Sequence, residues 1–210
     1  MKFAERYDIA APIYDRTAWV LSLGGIDKLH PGLVDGLDLS GKTVADLGCG
    51  TGLAFPALLN AVGPTGHVIG VDNNASILAK AEQRVSANKW NNVSLVTDDI
   101  ATLAMRRDVD VVVSCIAMSC VPNPSKKLEE LLVNLEPGTM VRIIDALPRT
   151  SGRWRQAINS YNFVKSGIVG SHFRELAPFE QVFRDQLSGV VVDSLHGGMY
   201  TRLTGVKGAK

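Results

Sequence analysis

Residues 48–52 form a loop in which glycine stands at every second position, directly after a short apolar run. The run reads VADL and the loop reads GCGTG. Glycine has no Cβ and adopts positive φ readily, so this loop can bring the backbone close to a ligand. A second apolar run, residues 68–71, ends at Asp72, about 20 residues after the loop. A glycine loop after one strand and an acid after the next predicts a nucleoside-binding pocket.

The glycine spacing differs from that of dinucleotide-binding folds. Those folds use G-x-G-x-x-G and direct a helix N-terminus at a pyrophosphate. Here the series is G-x-G-x-G, and Asp46 precedes the first glycine by two residues. A carboxylate favours a cationic ammonium or sulfonium group over a diphosphate. The spacing therefore disfavours nicotinamide-dependent oxidoreduction, and a plain tight turn remains the structural alternative to a binding loop.

The composition suits one globular α/β domain with a sizeable core. Of the 210 residues, 46% are hydrophobic and 20% are charged. Lys and Arg number 22 and Asp and Glu number 21, which gives a net charge of +1. The basic residues are scattered along the chain, so we expect no nucleic-acid partner.

Cysteine usage and hydropathy restrict the environment of the chain. Cys49, Cys115 and Cys120 are too few and too unevenly placed for a disulfide framework or a zinc site, so we expect a cytoplasmic protein without a metal. The N-terminus carries Lys2 and Arg6 without an apolar stretch, which argues against a signal peptide. Apolar runs end well before the roughly 20 residues that span a bilayer, so no transmembrane segment is expected. Peripheral membrane contact stays open, as does the choice between monomer and homodimer.

Strand-like and helix-like segments alternate from residue 43 onward. Apolar β-branched runs predict strands at Thr43–Leu47, His67–Asp72, Val93–Thr97, Val109–Ser114 and Met140–Asp145. Helical periodicity predicts helices near residues 53–62, 75–88 and 125–135. This alternation is typical of βαβ units and a parallel sheet.

The pattern changes after the fifth predicted strand. Residues 150–186 are predicted to be helical and carry most of the aromatic residues of the C-terminal third. Two short strands, Val190–Leu195 and Met199–Val206, then flank Gly197 and Gly198 and predict a hairpin.

The series D-x-G-x-G-x-G over residues 46–52 resembles the first motif of the class I S-adenosylmethionine-dependent methyltransferases. Residues 7–15 and 21–27 are similar to the start of the ubiquinone/menaquinone-biosynthesis methyltransferases, the methyltransferase type 11 group. The resemblance implies an α/β, Rossmann-like doubly wound, mostly parallel seven-stranded sheet with an antiparallel C-terminal hairpin strand. It also implies S-adenosylmethionine (SAM) as cofactor and S-adenosylhomocysteine (SAH) as product.

The same resemblance predicts one methyltransferase domain over residues 1–210, built from four parts. These parts are an N-terminal helical cap at 1–40, a cofactor-binding core at 41–146, a helical substrate-side insertion at 147–186 and a C-terminal hairpin at 187–210. The aromatic-rich insertion suggests an apolar acceptor under a lid.

The family pattern assigns cofactor contacts at the strand ends. Asp72 would accept hydrogen bonds from both ribose hydroxyls. Asp99, or Asp98 in a register shifted by one, would accept from the adenine amino group, and Tyr14, ahead of Tyr7, would lie near the methionine tail. The predicted cofactor-binding residues are Tyr14, Asp46, Gly48, Cys49, Gly50, Gly52, Asp72, Asn73, Asp99, Ile100 and Ser114.

No catalytic base stands out. His172, His196, Glu175 and Asp145 are weak candidates, because a lone polar residue is more often structural than catalytic. We expect methyl transfer to a small-molecule or lipid-like acceptor: a quinone or phenol carbon or oxygen, or an amine. The alternative is a non-catalytic SAM-binding subunit or sensor, which would share every cofactor residue.

Overall fold

Parallel pairing of the β-branched runs builds the central sheet. The computed structural model describes residues 14–100, 103 and 108–209. Within them the strands are β1 (Thr43–Leu47), β2 (His67–Asp72), β3 (Val93–Thr97), β4 (Val111–Cys115), β5 (Met140–Asp145), β6 (Leu187–Leu195) and β7 (Tyr200–Lys207). They pair in the order β3-β2-β1-β4-β5-β7-β6, and β7 runs antiparallel to both of its neighbours. The predicted seven-stranded doubly wound sheet with an antiparallel hairpin strand is confirmed.

Helices cover both faces of this sheet. They are α1 (Tyr14–Leu21), α2 (Ile26–Gly32), α3 (Phe55–Val62), α4 (Ala75–Asn88), α5 (Pro124–Val133), α6 (Arg155–Val169) and α7 (Phe179–Gln186). Short 3-10 helices lie at Met118–Cys120, Phe173–Leu176 and His196–Gly198. In the part of the chain that the structure describes, no helix is long and apolar enough to cross a membrane.

Several predicted bounds differ from the structure; for example, β6 begins at Leu187 rather than Val190, and β7 spans Tyr200–Lys207 rather than Met199–Val206. Two of the differences have local reasons. β4 starts two residues later than expected, because Asp110 uses its side chain to accept a hydrogen bond of 2.9 Å from the amide of Thr43 at the start of β1. The predicted helical stretch 150–186 divides into α6, a 3-10 helix and α7. Gly170, with φ of +74°, ends α6, since a left-handed residue terminates a helix.

Side chains on the two faces of the sheet form separate cores, as expected for a sheet covered on both sides. On one face, Leu128 of α5 and Phe183 of α7 join Leu47 of β1 in one cluster. On the other face, Leu29 of α2 and Phe55 of α3 belong to a second cluster. The two cores fix the strands so that their carboxyl ends form one edge.

Phe55 links the second core to the glycine loop, and its removal should destabilise the protein. Its ring is fully buried and meets Trp90 edge-on, with the ring centroids 6.4 Å apart. We expect Phe55→Ala to lower the free energy of unfolding by about 3–5 kcal/mol, measured by urea denaturation, because a buried cavity is created. The control Val133→Ala, exposed on α5, should change it by less than about 0.5 kcal/mol. Equal effects of the two substitutions would contradict this account of the core.

Candidate cofactor and acceptor site

The strand order reverses direction between β1 and β4. The chain adds β2 and β3 on one side of β1 and then returns to add β4 on the other side. In doubly wound sheets, ligands bind beyond the carboxyl ends of the strands at such a reversal. Polar residues stand at or near these ends, namely Asp46, Asp72, Ser114 and Asp145.

Three hydrogen bonds fold the glycine loop over the end of β2. The amides of Gly48 and Cys49 both donate to the carbonyl oxygen of Val71, at 2.8 and 3.0 Å. The amide of Gly50 donates to Oδ2 of Asp72 at 2.9 Å. The loop and Asp72 therefore form one connected unit.

Two of the loop glycines are required by packing within the protein. Gly48 and Gly52 have φ values of +72° and +76°. A Cβ at Gly48 would overlap the Cβ of Ala117, and a Cβ at Gly52 would lie 2.6 Å from the ring of Phe55. The sequence suggested close approach of a ligand as the reason for these glycines, and the structure adds crowding by neighbouring side chains.

Asp46 is a buried carboxylate with an unsatisfied oxygen. Its side chain is 2% exposed, and its Oδ2 has no hydrogen-bond partner among the described residues. Burial raises the pKa of Asp46 to about 7, and the nearby charge of Asp72 acts in the same direction. A cationic ligand would offset both effects, so the site fits SAM, which carries a sulfonium and an ammonium group.

Asp72 holds the loop and still has capacity for a ligand. Besides Gly50, it accepts a hydrogen bond of 2.9 Å from the amide of Asn74 through Oδ1. Burial raises the pKa of Asp72, and the amide donors partly oppose that rise. Each carboxylate oxygen can accept more than one hydrogen bond, so two hydroxyl groups could still be accommodated.

The structure divides the roles of the residues after β2. Asn74, and not Asp72, is the N-cap of α4, because its side chain accepts a hydrogen bond of 2.9 Å from the amide of Ile77. Asn73 lies between the two with an exposed side chain. Asn74 thus caps the helix, and Asp72 remains hydrogen-bonded to the glycine loop.

The residues after β3 lie beside the glycine loop. The Cδ1 atom of Ile100 is 3.4 Å from the position that a Cβ of Gly48 would occupy, so Ile100 lies next to the loop. The amide of Asp98 donates to the carbonyl oxygen of Asp72 at 3.1 Å, while Asp99 is the more exposed of the two acids. The choice between Asp98 and Asp99 as the adenine contact stays a prediction.

The end of β4 combines a fastened serine with a strained backbone. The hydroxyl of Ser114 donates to the carbonyl oxygen of Leu47 at 2.9 Å, which ties β4 to β1. Ile116 has φ of +56°, an outlier for a β-branched residue, and its amide donates to the carbonyl oxygen of Ile144. Such strain concentrates at functional sites.

The thiols near the loop are not activated. Burial raises the pKa of Cys49 and of Cys115 well above the ordinary value, and the charge of Asp46 adds to both shifts. Both cysteines therefore remain protonated thiols, which fits small core residues better than nucleophiles.

Two sequence predictions concern tyrosines near the N-terminus. Tyr7 lies outside the described residues. Tyr14 is the first residue of α1, and its side chain lies outside the described part of the chain.

Three of the four candidate bases are linked near the end of β5. Nδ1 of His172 lies 2.8 Å from Oε1 of Glu175, and the amide of His172 donates to the carbonyl oxygen of Ser119. The amide of Ser119 in turn donates to Oδ2 of Asp145 at 2.9 Å. Asp145 is fully buried, and burial raises its pKa. Asp145 therefore accepts hydrogen bonds from backbone amides, whereas His172 and Glu175 form a half-exposed pair.

His196 lies on the other side of this edge, at the tip of the hairpin. It has φ of +47°, and its ring centroid is 6.4 Å from that of Tyr200. The four candidates thus occupy one end of the sheet but do not converge on one point.

Sequence reasoning missed a polar group on α6 and β7, formed by Tyr161, Asn162, Lys165 and Tyr200. The hydroxyl of Tyr161 donates to the carbonyl oxygen of Leu21 at the end of α1. Lys165 and Asn162 are buried, although α6 exposes apolar residues on its other side. The sequence feature that could have indicated this polar group is Lys165, a lysine on the buried face of an amphipathic helix.

The comparisons with known proteins agree with this geometry. A family model described as a methyltransferase domain matches residues 38–177. The chain belongs to this methyltransferase family. The family model and the relatives that are named as methyltransferases identify a SAM-dependent enzyme. They favour this hypothesis over that of a non-catalytic SAM-binding subunit.

Two relatives illustrate the range of this methyltransferase's similarities. The arsenite methyltransferase of Halobacterium salinarum is 34% identical over 108 residues, which cover 51% of this chain and 28% of the relative. The demethylmenaquinone methyltransferase of Listeria monocytogenes is 27% identical over 173 residues, which cover 80% of this chain and 71% of the relative. The chain therefore spans little more than a quarter of the first relative and most of the second.

A solved structure with bound cofactor has the same fold. Human N-acetylserotonin methyltransferase in complex with SAM aligns with a TM-score of 0.66 at 16% identity, covering 91% of this chain and 53% of that one. At this identity the likeness concerns the fold.

The raised pKa of Asp46 predicts that the stability of the protein without cofactor depends on pH. The folded-state pKa of about 7 lies above the ordinary value of 3.8 for an aspartate, so the folded state holds a proton that the unfolded state loses as pH rises. Stability should fall between about pH 4 and pH 7. Asp46→Asn removes this ionisation, so its stability relative to wild type should rise by a few kcal/mol across that range, measured by urea denaturation.

Asp38→Asn is the control for this experiment. Hydrogen bonds from Ser40 lower the pKa of the exposed Asp38, so any pH effect of its removal should be small and of opposite sign. A difference between Asp46→Asn and wild type that does not vary with pH would contradict the buried, unpaired state of Asp46.

Proposed function

We propose that the glycine loop and its acids bind SAM, with Asp46 beside the cationic end and Asp72 on the ribose. The unpaired buried oxygen of Asp46 carries this proposal, because a carboxylate left without a partner needs a cation or a proton. The side chain of Ile100 beside the loop supports an adenine site on the β3 side.

We propose further that the acceptor is a small or lipid-like molecule held beyond the carboxyl ends of β4 and β5. SAM supplies an already activated methyl group, so the protein mainly orients the acceptor and excludes water. α1 and α6 lie at this side, joined by the hydrogen bond from Tyr161 to Leu21. Relatives named for demethylmenaquinone and arsenite support a small acceptor.

Loss of Asp72 should abolish tight cofactor binding. The carboxylate would accept charge-assisted hydrogen bonds from the ribose, so we expect Asp72→Ala to weaken SAH binding roughly 100-fold or more in calorimetry. Asp185→Ala, the same change at an exposed site on α7, should bind SAH as wild type does. Equal SAH affinity of Asp72→Ala and wild type would overturn the cofactor assignment.

An apolar, basic surface beside the acceptor side supports a lipid-like acceptor. α6 and the turn before it expose Trp154, Val164 and Ile168, and α1 exposes Trp19 and Val20. Residues 147–174 contain no Asp or Glu, and Arg153, Arg155 and Arg174 among them are exposed. Exposed apolar side chains near exposed arginines, in a segment without acidic residues, fit an anionic bilayer surface. We propose that this surface, residues 19–23 with 154–168, contacts such a bilayer.

Vesicle flotation tests this contact. We expect wild type to bind vesicles that contain phosphatidylglycerol more strongly than pure phosphatidylcholine vesicles, with binding weakened by salt. The double substitution Trp154→Ser with Ile168→Ser should lose at least about tenfold in binding. Val191→Ser, which removes an exposed apolar residue on β6, should bind normally.

Two outcomes would contradict the membrane proposal. One is a failure of the binding differences: wild type binds both kinds of vesicle equally, or the double variant binds phosphatidylglycerol vesicles as strongly as wild type does. The other is self-association that disappears in the double variant while wild type ignores vesicles, because that result would assign the surface to a second copy of the chain.

A further inference from the structure

A buried lysine lies near the end of β5, and the cofactor assignment does not use it. Lys165 on α6 is 9% exposed, and its Nζ donates a hydrogen bond of 3.1 Å to the hydroxyl of Tyr200 on β7. The same Nζ lies 4.7 Å from the ring centroid of Tyr200 and 5.9 Å from that of Tyr161. Buried charges normally have partners, so this arrangement needs an explanation.

The ammonium group of Lys165 is only partly satisfied by the protein. It has three N–H donors, and Tyr200 accepts one hydrogen bond. Among the residues that the structure describes, no carboxylate forms an ion pair with it. Burial lowers the pKa of Lys165, and the charge of Asp145, at a greater distance than an ion pair, acts in the opposite direction. Both oxygens of Asp145 already accept hydrogen bonds from backbone amides, those of Ser119 and Ala146.

A second unsatisfied group lies less than one helical turn away. Asn162 is 1% exposed, and its Nδ2 donates to the carbonyl oxygen of Met199 at 3.1 Å. Its Oδ1 has no partner within the described part of the chain. An unpaired buried acceptor costs about 1–3 kcal/mol. Two half-satisfied side chains on one helix face point to a ligand that offers both an acceptor and a donor.

We propose that Lys165, together with the Tyr200 hydroxyl, binds the ionised oxygen of the methyl acceptor, which is therefore a phenol, an enol or a carboxylic acid rather than an amine. The inference rests on the proposed function, because it takes this end of the sheet as the acceptor side. A buried ammonium attracts an anionic oxygen and repels a protonated amine. The aromatic rings of Tyr161 and Tyr200 supply apolar contact for the rest of the acceptor.

An ionised acceptor also explains why no catalytic base stands out. The acceptor oxygen donates a lone pair to the methyl carbon, and an O–C bond forms. The carbon–sulfur bond breaks, and its electron pair stays on sulfur as a neutral thioether. The negative charge on oxygen and the positive charge on sulfur both disappear, so no proton has to be removed in this step.

Matched aromatic probes test the charge preference without knowledge of the natural acceptor. Benzoate, 4-nitrophenolate, neutral benzamide and benzylammonium would be titrated into the SAH-loaded protein and followed by NMR. We expect wild type to bind at least one anionic probe at least about tenfold more tightly than benzamide, and to bind benzylammonium most weakly. The two anions separate a carboxylate acceptor from a phenolic one.

Lys165→Gln should remove the anion preference while SAH affinity stays within about twofold of wild type. Lys165→Arg should keep part of the preference, and Tyr200→Phe should keep the charge effect with weaker binding, since only a hydroxyl is lost. A melting curve for each variant checks that it folds.

Several results would overturn the proposal. These are no anion preference in wild type, an unchanged preference in Lys165→Gln, or tightest binding of benzylammonium. If wild type does not bind SAH, the cofactor assignment is refuted instead. Failure of the acceptor proposal and failure of the cofactor assignment are therefore distinguishable.

Discussion

The hydrogen bond from the amide of Gly50 to the carboxylate of Asp72 is the contact on which the site depends. It joins the loop that follows β1 to the end of β2. The same carboxylate also accepts a hydrogen bond from the amide of Asn74, which lies at the start of α4. One side chain thus fixes the relative positions of two strand ends and a helix. Because this hydrogen bond ties the loop to Asp72, the proposed nucleoside side of the pocket is preorganised for a ligand.

This construction places two acids close together in a buried region. Asp46 and Asp72 repel each other, and burial penalises the charge on both. The backbone amides compensate Asp72, whereas Oδ2 of Asp46 stays without a partner. The protein therefore carries an electrostatic cost in the proposed cofactor pocket that a cationic ligand can relieve. This is the physical reason that a sulfonium cofactor, rather than a dinucleotide, suits a G-x-G-x-G loop with an acid before it.

Much of the fold could be predicted from the sequence because it depends on local patterns. The bounds of β1, β2, β3 and β5 follow directly from β-branched runs that end in Asp, Thr or Leu. The start of β4 could not be predicted, because Asp110 pairs with Thr43, 67 residues away, through its side chain. The N-cap at Asn74 could not be chosen from the sequence for a related reason. Asp72 and Asn74 are both good N-cap residues, and their tertiary contacts decide between them.

The residues that we propose bind the acceptor could not be found from the sequence, because they are far apart in the chain. Lys165 and Tyr200 meet only through the antiparallel hairpin that returns β7 beside β5, and Asp145 approaches them from β5 itself. No short motif links the three. A general base is needed only when the acceptor must lose a proton on the enzyme. A buried ammonium removes that requirement, since it lowers the pKa of a bound acid and so favours an acceptor that is already an anion. On this proposal, the absence of an evident base in the sequence follows from the chemistry that the buried lysine supports.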